Sequence, residues 1–164
     1  MRILGIDPGF AIVGYGVIDT ASNRFTPIDC GVLTTASSMP FPKRLKSLYQ
    51  SMQVILTKYK PDAVAMETLF FNTNVTTAIA VGHARGVLCL AVENENIPLF
   101  EYTPLQIKQA ITGYGRADKL QMQQMVKMLL GLAAVPKPDD AADALAVALC
   151  HGQSYKLNQK INGV

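Results

Sequence analysis

Arg2-Ile3-Leu4-Gly5-Ile6-Asp7-Pro8-Gly9 is an apolar run that ends in a carboxylate and is broken at once by a proline–glycine pair. A short apolar run bounded by breakers reads as a buried strand. Gly14-Tyr15-Gly16-Val17-Ile18 resumes the same character, and Arg24 to Thr35 mixes β-branched residues with Gly31 as a third strand. Three strands in close succession predict an antiparallel meander. From Pro42 the period changes: Leu45, Leu48, Met52 and Ile55 recur at helical spacing, with Lys43, Arg44, Lys46 and Lys58 left for the wet face.

Further along, Ala63-Val64-Ala65-Met66 is a short fully apolar run that ends at Glu67, the pattern of a strand covered on both faces of a largely parallel sheet. A long helix is predicted over 72–93, and a strand over Leu99 to Tyr102. Thr103-Pro104 then provides a cap followed by proline at the first helical position. Asp118 can cap a helix running from Lys119 to Leu130 that Gly131 closes, and the last helix is expected over Asp139 to His151. The order predicts an α/β fold, a mixed sheet of antiparallel then parallel strands with helices on both faces. One domain is expected over 1–152, with 153–164 as a polar, frayed tail.

At 164 residues the chain supports one compact core, and 49% hydrophobic against 16% charged residues excludes a disordered chain or a coiled coil. No apolar stretch approaches the ~20 residues that cross a bilayer, so no membrane association is expected. The N-terminus reads straight into a strand rather than into an export signal. Cys30, Cys89 and Cys150 are odd in number and too far apart for a metal finger, which suits reduced thiols in the cytoplasm. A net charge of +3 does not by itself mark a polyanionic partner.

The chemistry lies in the acids. Asp7 and Glu67 both close apolar strands, and in open α/β sheets sites form at the carboxyl ends of strands. Asp140-Ala141-Ala142-Asp143 places two carboxylates three residues apart on one helix face. They precede Ala144-Leu145-Ala146-Val147-Ala148-Leu149, a segment apolar enough to be buried, and no basic residue beside them in sequence can pair them. Asp139, four residues before Asp143, can share the same face. Four converging carboxylates repel unless cations sit among them. All-oxygen ligation suits Mg²⁺, with Mn²⁺ as a substitute, and two such ions per subunit would leave the site receptive to a phosphodiester.

The ordered set Gly5-Ile6-Asp7-Pro8-Gly9, Ala65-Met66-Glu67, Gly82-His83-Ala84-Arg85-Gly86, Gly113-Tyr114-Gly115-Arg116-Ala117-Asp118-Lys119 and Asp140-Ala141-Ala142-Asp143-Ala144 resembles the RuvC family of bacterial crossover-junction endodeoxyribonucleases. The resemblance spans about residues 1–151. It implies a ribonuclease-H-like fold and a homodimer that makes paired nicks in a four-way Holliday junction. It also implies RuvA with RuvB as a branch-migration partner, in recombination and repair. It makes Asp7, Glu67, Asp140 and Asp143 the Mg²⁺-binding catalytic carboxylates, the Asp-Ala-Ala-Asp pattern selecting Asp140 over Asp139. It places Phe70 against a base, with Phe71 as its competitor, and Lys108 and Lys119 near the scissile phosphate. Arg85 is either a DNA contact or half of a structural ion pair. His83 and His151 are expected as surface or packing residues.

Three other readings share these residues. Gly5-Ile6-Asp7-Pro8-Gly9 with Gly14-Tyr15-Gly16 also resembles the first phosphate loop of actin-like ATPases and sugar kinases, but those close two such domains around a nucleotide and this chain has the length of one. A ribonuclease-H-like RNA-processing nuclease and a junction-binding module without catalysis complete the set.

Overall fold

The structure, a computed structural model, describes residues 1–22, 24–68 and 75–162. Strand β1 (Arg2–Asp7) is followed by β2 (Ile12–Ala21), β3 (Arg24–Thr34), helix α1 (Phe41–Tyr59) and β4 (Ala63–Glu67). Helix α2 (Val75–Asn94), β5 (Leu99–Tyr102), α3 (Pro104–Thr112), α4 (Lys119–Leu129) and α5 (Asp139–Asn162) complete the chain. The five strands lie in the order β3-β2-β1-β4-β5. β1 pairs antiparallel with β2 and parallel with β4, and β4 runs parallel to β5. This is the expected mixed sheet.

Residue parity along β1 sorts the two cores. Leu4 and Ile6 pack with Leu48, Met52 and Leu56 of α1 and Ala84 and Leu88 of α2, whereas Ile3 points to the opposite face and joins Leu145, Ala148 and Leu149 of α5. Alternate residues of a strand face opposite sides, so Asp7 continues the Ile3–Gly5 row towards α5. In β4 Val64 and Met66 belong to the α1–α2 core and Ala65 to the α5 core, which sends Glu67 to the α5 side as well. The register Ile6↔Met66 makes the two strand ends neighbours.

Helix α5 seats directly on backbone. Gly5 pairs with Gly16 and Asp7 with Gly14 across β1 and β2. A Cβ on Gly14 would overlap the carbonyl oxygen of Asp140, and one on Gly5 that of Ala144. Only glycine admits so close a helix, and Ala141, Ala142, Ala144 and Ala148 are correspondingly buried on the helix side. The edge strand β3 carries Pro27, where a missing donor is tolerated, and a register shift opposite Val17/Ile18.

Two expectations need correction. β2 runs from Ile12 to Ala21, well beyond Gly14–Ile18, because pairing with both β1 and β3 recruits its polar end. The final helix does not stop at His151 before a separate tail: α5 continues through Asn162, since 153–162 contains neither glycine nor proline to end it. Among the described residues no helix is long and apolar enough to cross a membrane.

Candidate active site

Strand ends and helix starts deliver the polar groups to one end of the sheet. Asp7 closes β1, Glu67 closes β4, and Asp140 and Asp143 lie in the first turns of α5. From Ala141 to Cys150 every residue of α5 is buried except Asp143, which is half-buried. Thr103 caps α3 and forms a capping box with Gln106, fixing the helix that carries Lys108. Asp118 and Gln121 make the same reciprocal pair at α4, so Lys119 becomes the first residue of that helix and faces the carboxylates. Glu67, Asp143, Lys108 and Lys119 line one cavity of about 230 Å³, whose apolar wall is Pro104, Ile107, Met122 and Ala146.

Electrostatics identify the group as one unit. The Asp7 carboxyl is pushed up to about 8, first by burial and then by the charges of Glu67, Asp143 and Asp140, with Lys119 acting the other way. Burial and Asp143 also raise Glu67, while Lys108 and a hydrogen bond with Asp7 hold it down. Asp143 is raised by burial and restrained by Lys119. A carboxyl raised this far favours its protonated form in the absence of a cation. Among the described residues no three His, Cys, Asp or Glu side chains are grouped tightly enough to hold a metal ion as placed. The donor set nevertheless fits a hard dication: it is all oxygen, anionic, half-buried and short of positive charge.

Lys119 Nζ lies 3.3 Å from Asp139 Oδ2 and 3.5 Å from Asp143 Oδ2, and Lys137 Nζ lies 2.8 Å from Asp139 Oδ1. Asp139 thus has two ammonium neighbours, one of them shared with Asp143. The charges of Asp140 and Asp143 raise Asp7, and Asp139, which also raises Asp143, joins Asp143 in holding Lys119.

Arg85 ion-pairs with Glu101 on the edge strand β5, the structural alternative of its two readings. His83 is exposed on α2, its Nδ1 2.8 Å from the Ile79 carbonyl oxygen. His151 is the packing alternative: it is buried, its Nδ1 2.8 Å from the Tyr102 hydroxyl among the Phe100, Tyr102 and Tyr155 rings. Eight residues of helix beyond Asp143 correspond to ~12 Å, so it stands apart from the acids. Phe70 and Phe71 lie outside the described residues. Sequence reading missed Gly14 and Gly16 as the seat of α5, although their two-residue spacing beside Gly5 in the partner strand was the available signal.

Residues 3–151 match the family described as Crossover junction endodeoxyribonuclease RuvC. A relative of that name from Alkaliphilus oremlandii is 62% identical over 154 residues, 94% of each chain. The fold superimposes on a Thermus thermophilus RuvC in complex with a Holliday junction substrate, with a TM-score of 0.92 and 33% identity over 96% of both chains. The yeast mitochondrial Holliday junction resolvase Ydc2 shares the fold at a TM-score of 0.68 and 17% identity, covering 96% of this chain.

Proposed function

The chain belongs to the RuvC family of crossover junction endodeoxyribonucleases and resolves Holliday junctions; from that premise we propose that Asp7, Glu67, Asp140 and Asp143 are its catalytic carboxylates and Mg²⁺ ligands. The observation that carries this reading is one electrostatic unit in which burial and mutual repulsion leave Asp7 protonated up to about pH 8, beside a cavity walled by Lys108 and Lys119. Bound there, two dications would supply Lewis-acid polarisation of the phosphate and a more acidic attacking water. The protein's own contribution is placement: Asp7 and Glu67 sit rigidly at neighbouring strand ends, and the glycine seat of α5 fixes Asp140 and Asp143 above them. Lys108 and Lys119 present ammonium groups to the phosphate backbone. Phe70 is assigned to stacking against a base, a role in which Phe70→Ala lowers cleavage more than Phe71→Ala.

We further propose a homodimer that pairs through the outer face of α2. Ile79 and Leu90 are 57% and 54% exposed, Gly82 and Gly86 leave open space for a close approach, and Leu45, His83 and Val87 complete a shallow apolar trough. Isologous pairing through this face would set two sites for a substrate of two-fold symmetry. A cytoplasmic enzyme working with RuvA and RuvB completes the reading.

The deciding experiment compares a mobile synthetic four-way DNA junction, linear duplex and an RNA/DNA hybrid, each with Mg²⁺ or EDTA. Paired, Mg²⁺-dependent nicks in the junction alone are expected. Cleavage in EDTA would refute the metal assignment, hybrid cleavage the substrate assignment, and binding without cleavage would leave only a junction-binding module.

A further inference from the structure

Asp139 opens α5 one residue before Asp140, its side chain 40% exposed. It nevertheless sits inside an alternating row of charges: Lys137 against one carboxylate oxygen at 2.8 Å, Lys119 against the other at 3.3 Å, and Asp143 3.5 Å beyond on the far side of the Lys119 ammonium. Asp139 and Asp143 stand four residues apart on one helix face, and the Lys119 backbone is anchored independently by the Asp118–Gln121 capping box. The ammonium is thus shared almost evenly between a carboxylate assigned to metal and one that is not.

We propose that Asp139 is a positioning residue that offers the Lys119 ammonium a second anion, so that Asp143 can be released to a divalent cation while Lys119 stays at the mouth of the cavity. The proposal rests on the assignment of Asp143 as a metal ligand. A dication and an ammonium cannot both occupy the near side of Asp143, because like charges a few ångströms apart repel strongly even in a partly solvated site. Asp139 gives the displaced ammonium an anion within its present reach. Lys137 occupies the other oxygen of Asp139 and fixes the carboxylate against rotation. Without Asp139, Lys119 has Asp143 alone and competes with the cation for it.

Mn²⁺ alone is the probe, titrated into the full-length protein without DNA and read by electron paramagnetic resonance of the free ion. Asp139→Asn is expected to weaken Mn²⁺ binding by about threefold, within the range of exposed ion pairs, and Asp139→Glu to restore it. In a Lys119→Met background the same Asp139→Asn change should shift affinity by less than about 1.5-fold, since no ammonium remains to compete. Equal shifts in both backgrounds would show that Asp139 acts through its charge or through helix stability and not through Lys119, and would overturn the proposal alone; so would a failure of Glu to rescue, since the carboxylate would still be present to take the ammonium. Unchanged Mn²⁺ affinity in Asp143→Asn would overturn the metal assignment together with it.

Discussion

Strand β1 begins with Arg2 and ends with Asp7, and the molecule treats these two charges in opposite ways. At the start, Arg2 makes two parallel hydrogen bonds to Asp19, each 2.9 Å, and a third to the Tyr59 carbonyl oxygen at 3.1 Å, while its backbone amide donates to Asp62. The Asp19 carboxyl is accordingly held below its usual range by Arg2. At the far end Asp7 faces Glu67, Asp143 and Asp140, with Lys119 as its partial offset, and it is pushed up to about 8. One end is balanced and the other is left short of positive charge by construction. A fold selected for stability alone would have no reason to gather acids on a helix whose next seven residues, 144–150, are all buried. On the proposed reading, the imbalance makes the far end a receptor for cation and phosphate.

The sharpest way to break this contrast is Asp7→Asn. It removes the most strained carboxylate while keeping its shape, and loss of a metal-site ligand is expected to lower junction cleavage by ~1000-fold or more. Junction affinity in EDTA should be unchanged, because the lysine contacts remain. Single-turnover cleavage and a gel shift measure the two, and retained cleavage would remove Asp7 from the site. Next in size is Gly5→Ala, which tests the placement of the acids. Its Cβ would collide with the backbone oxygen of Ala144, so α5 must lift, at an expected cost of about 3 kcal/mol, read from denaturant midpoints. Cleavage should fall in the fraction that stays folded, although no polar group has changed.

The sequence made the strands and most helices legible because their periodicities are clean: β4, β5 and the two capped helices lie where spacing and capping residues place them. It also made the four acids legible, since strand-end carboxylates and an Asp-Ala-Ala-Asp face are local patterns. What it hid depends on pairing. Gly5, Gly14 and Gly16 become a seat only once β1 and β2 are in register, and Asp139, besides its sequence neighbour Lys137, gains Lys119 only once α4 packs beside α5. Lys108 and Lys119 came from family resemblance, as no local rule separates an active-site lysine from a solvated one. Arg85 was undecidable for the same reason, its partner Glu101 lying on a strand that follows α2 by several residues.

Proton linkage sharpens the comparison more gently. The folded state holds the Asp7 proton up to about pH 8, whereas an unfolded Asp releases it near 4. The folded state binds more protons in that window, so stability in metal-free buffer should fall as pH rises from about 4 to about 8. Asp7→Asn should flatten that part of the slope. Saturating Mg²⁺ should offset the loss, raising stability by up to about 3 kcal/mol at one hundred times its dissociation constant, more at pH 8 than at pH 6 because ligation needs the deprotonated acids. Thermal unfolding with and without Mg²⁺ at the two pH values checks this, and an equal Mg²⁺ effect at both would place the ion elsewhere.

The smallest effect belongs to the balanced end. Asp19→Asn removes the acceptor of the paired Arg2 hydrogen bonds, but both side chains are more than a third exposed, and exposed pairs contribute little. Because the Asp19 carboxyl is lowered in the fold, its contribution is present above the unfolded value near 3.9 and disappears as pH falls through the folded one. The variant should therefore unfold slightly earlier than the parent at neutral pH and converge with it in acid, the reverse of the Asp7 trend. Its cleavage rate should equal the parent's, since β1 remains tied to β2 and β4 by backbone pairing along its whole length. A cleavage defect approaching that of Asp7→Asn would mean that the two ends of β1 are mechanically coupled, and that the balanced end sets the geometry of the unbalanced one.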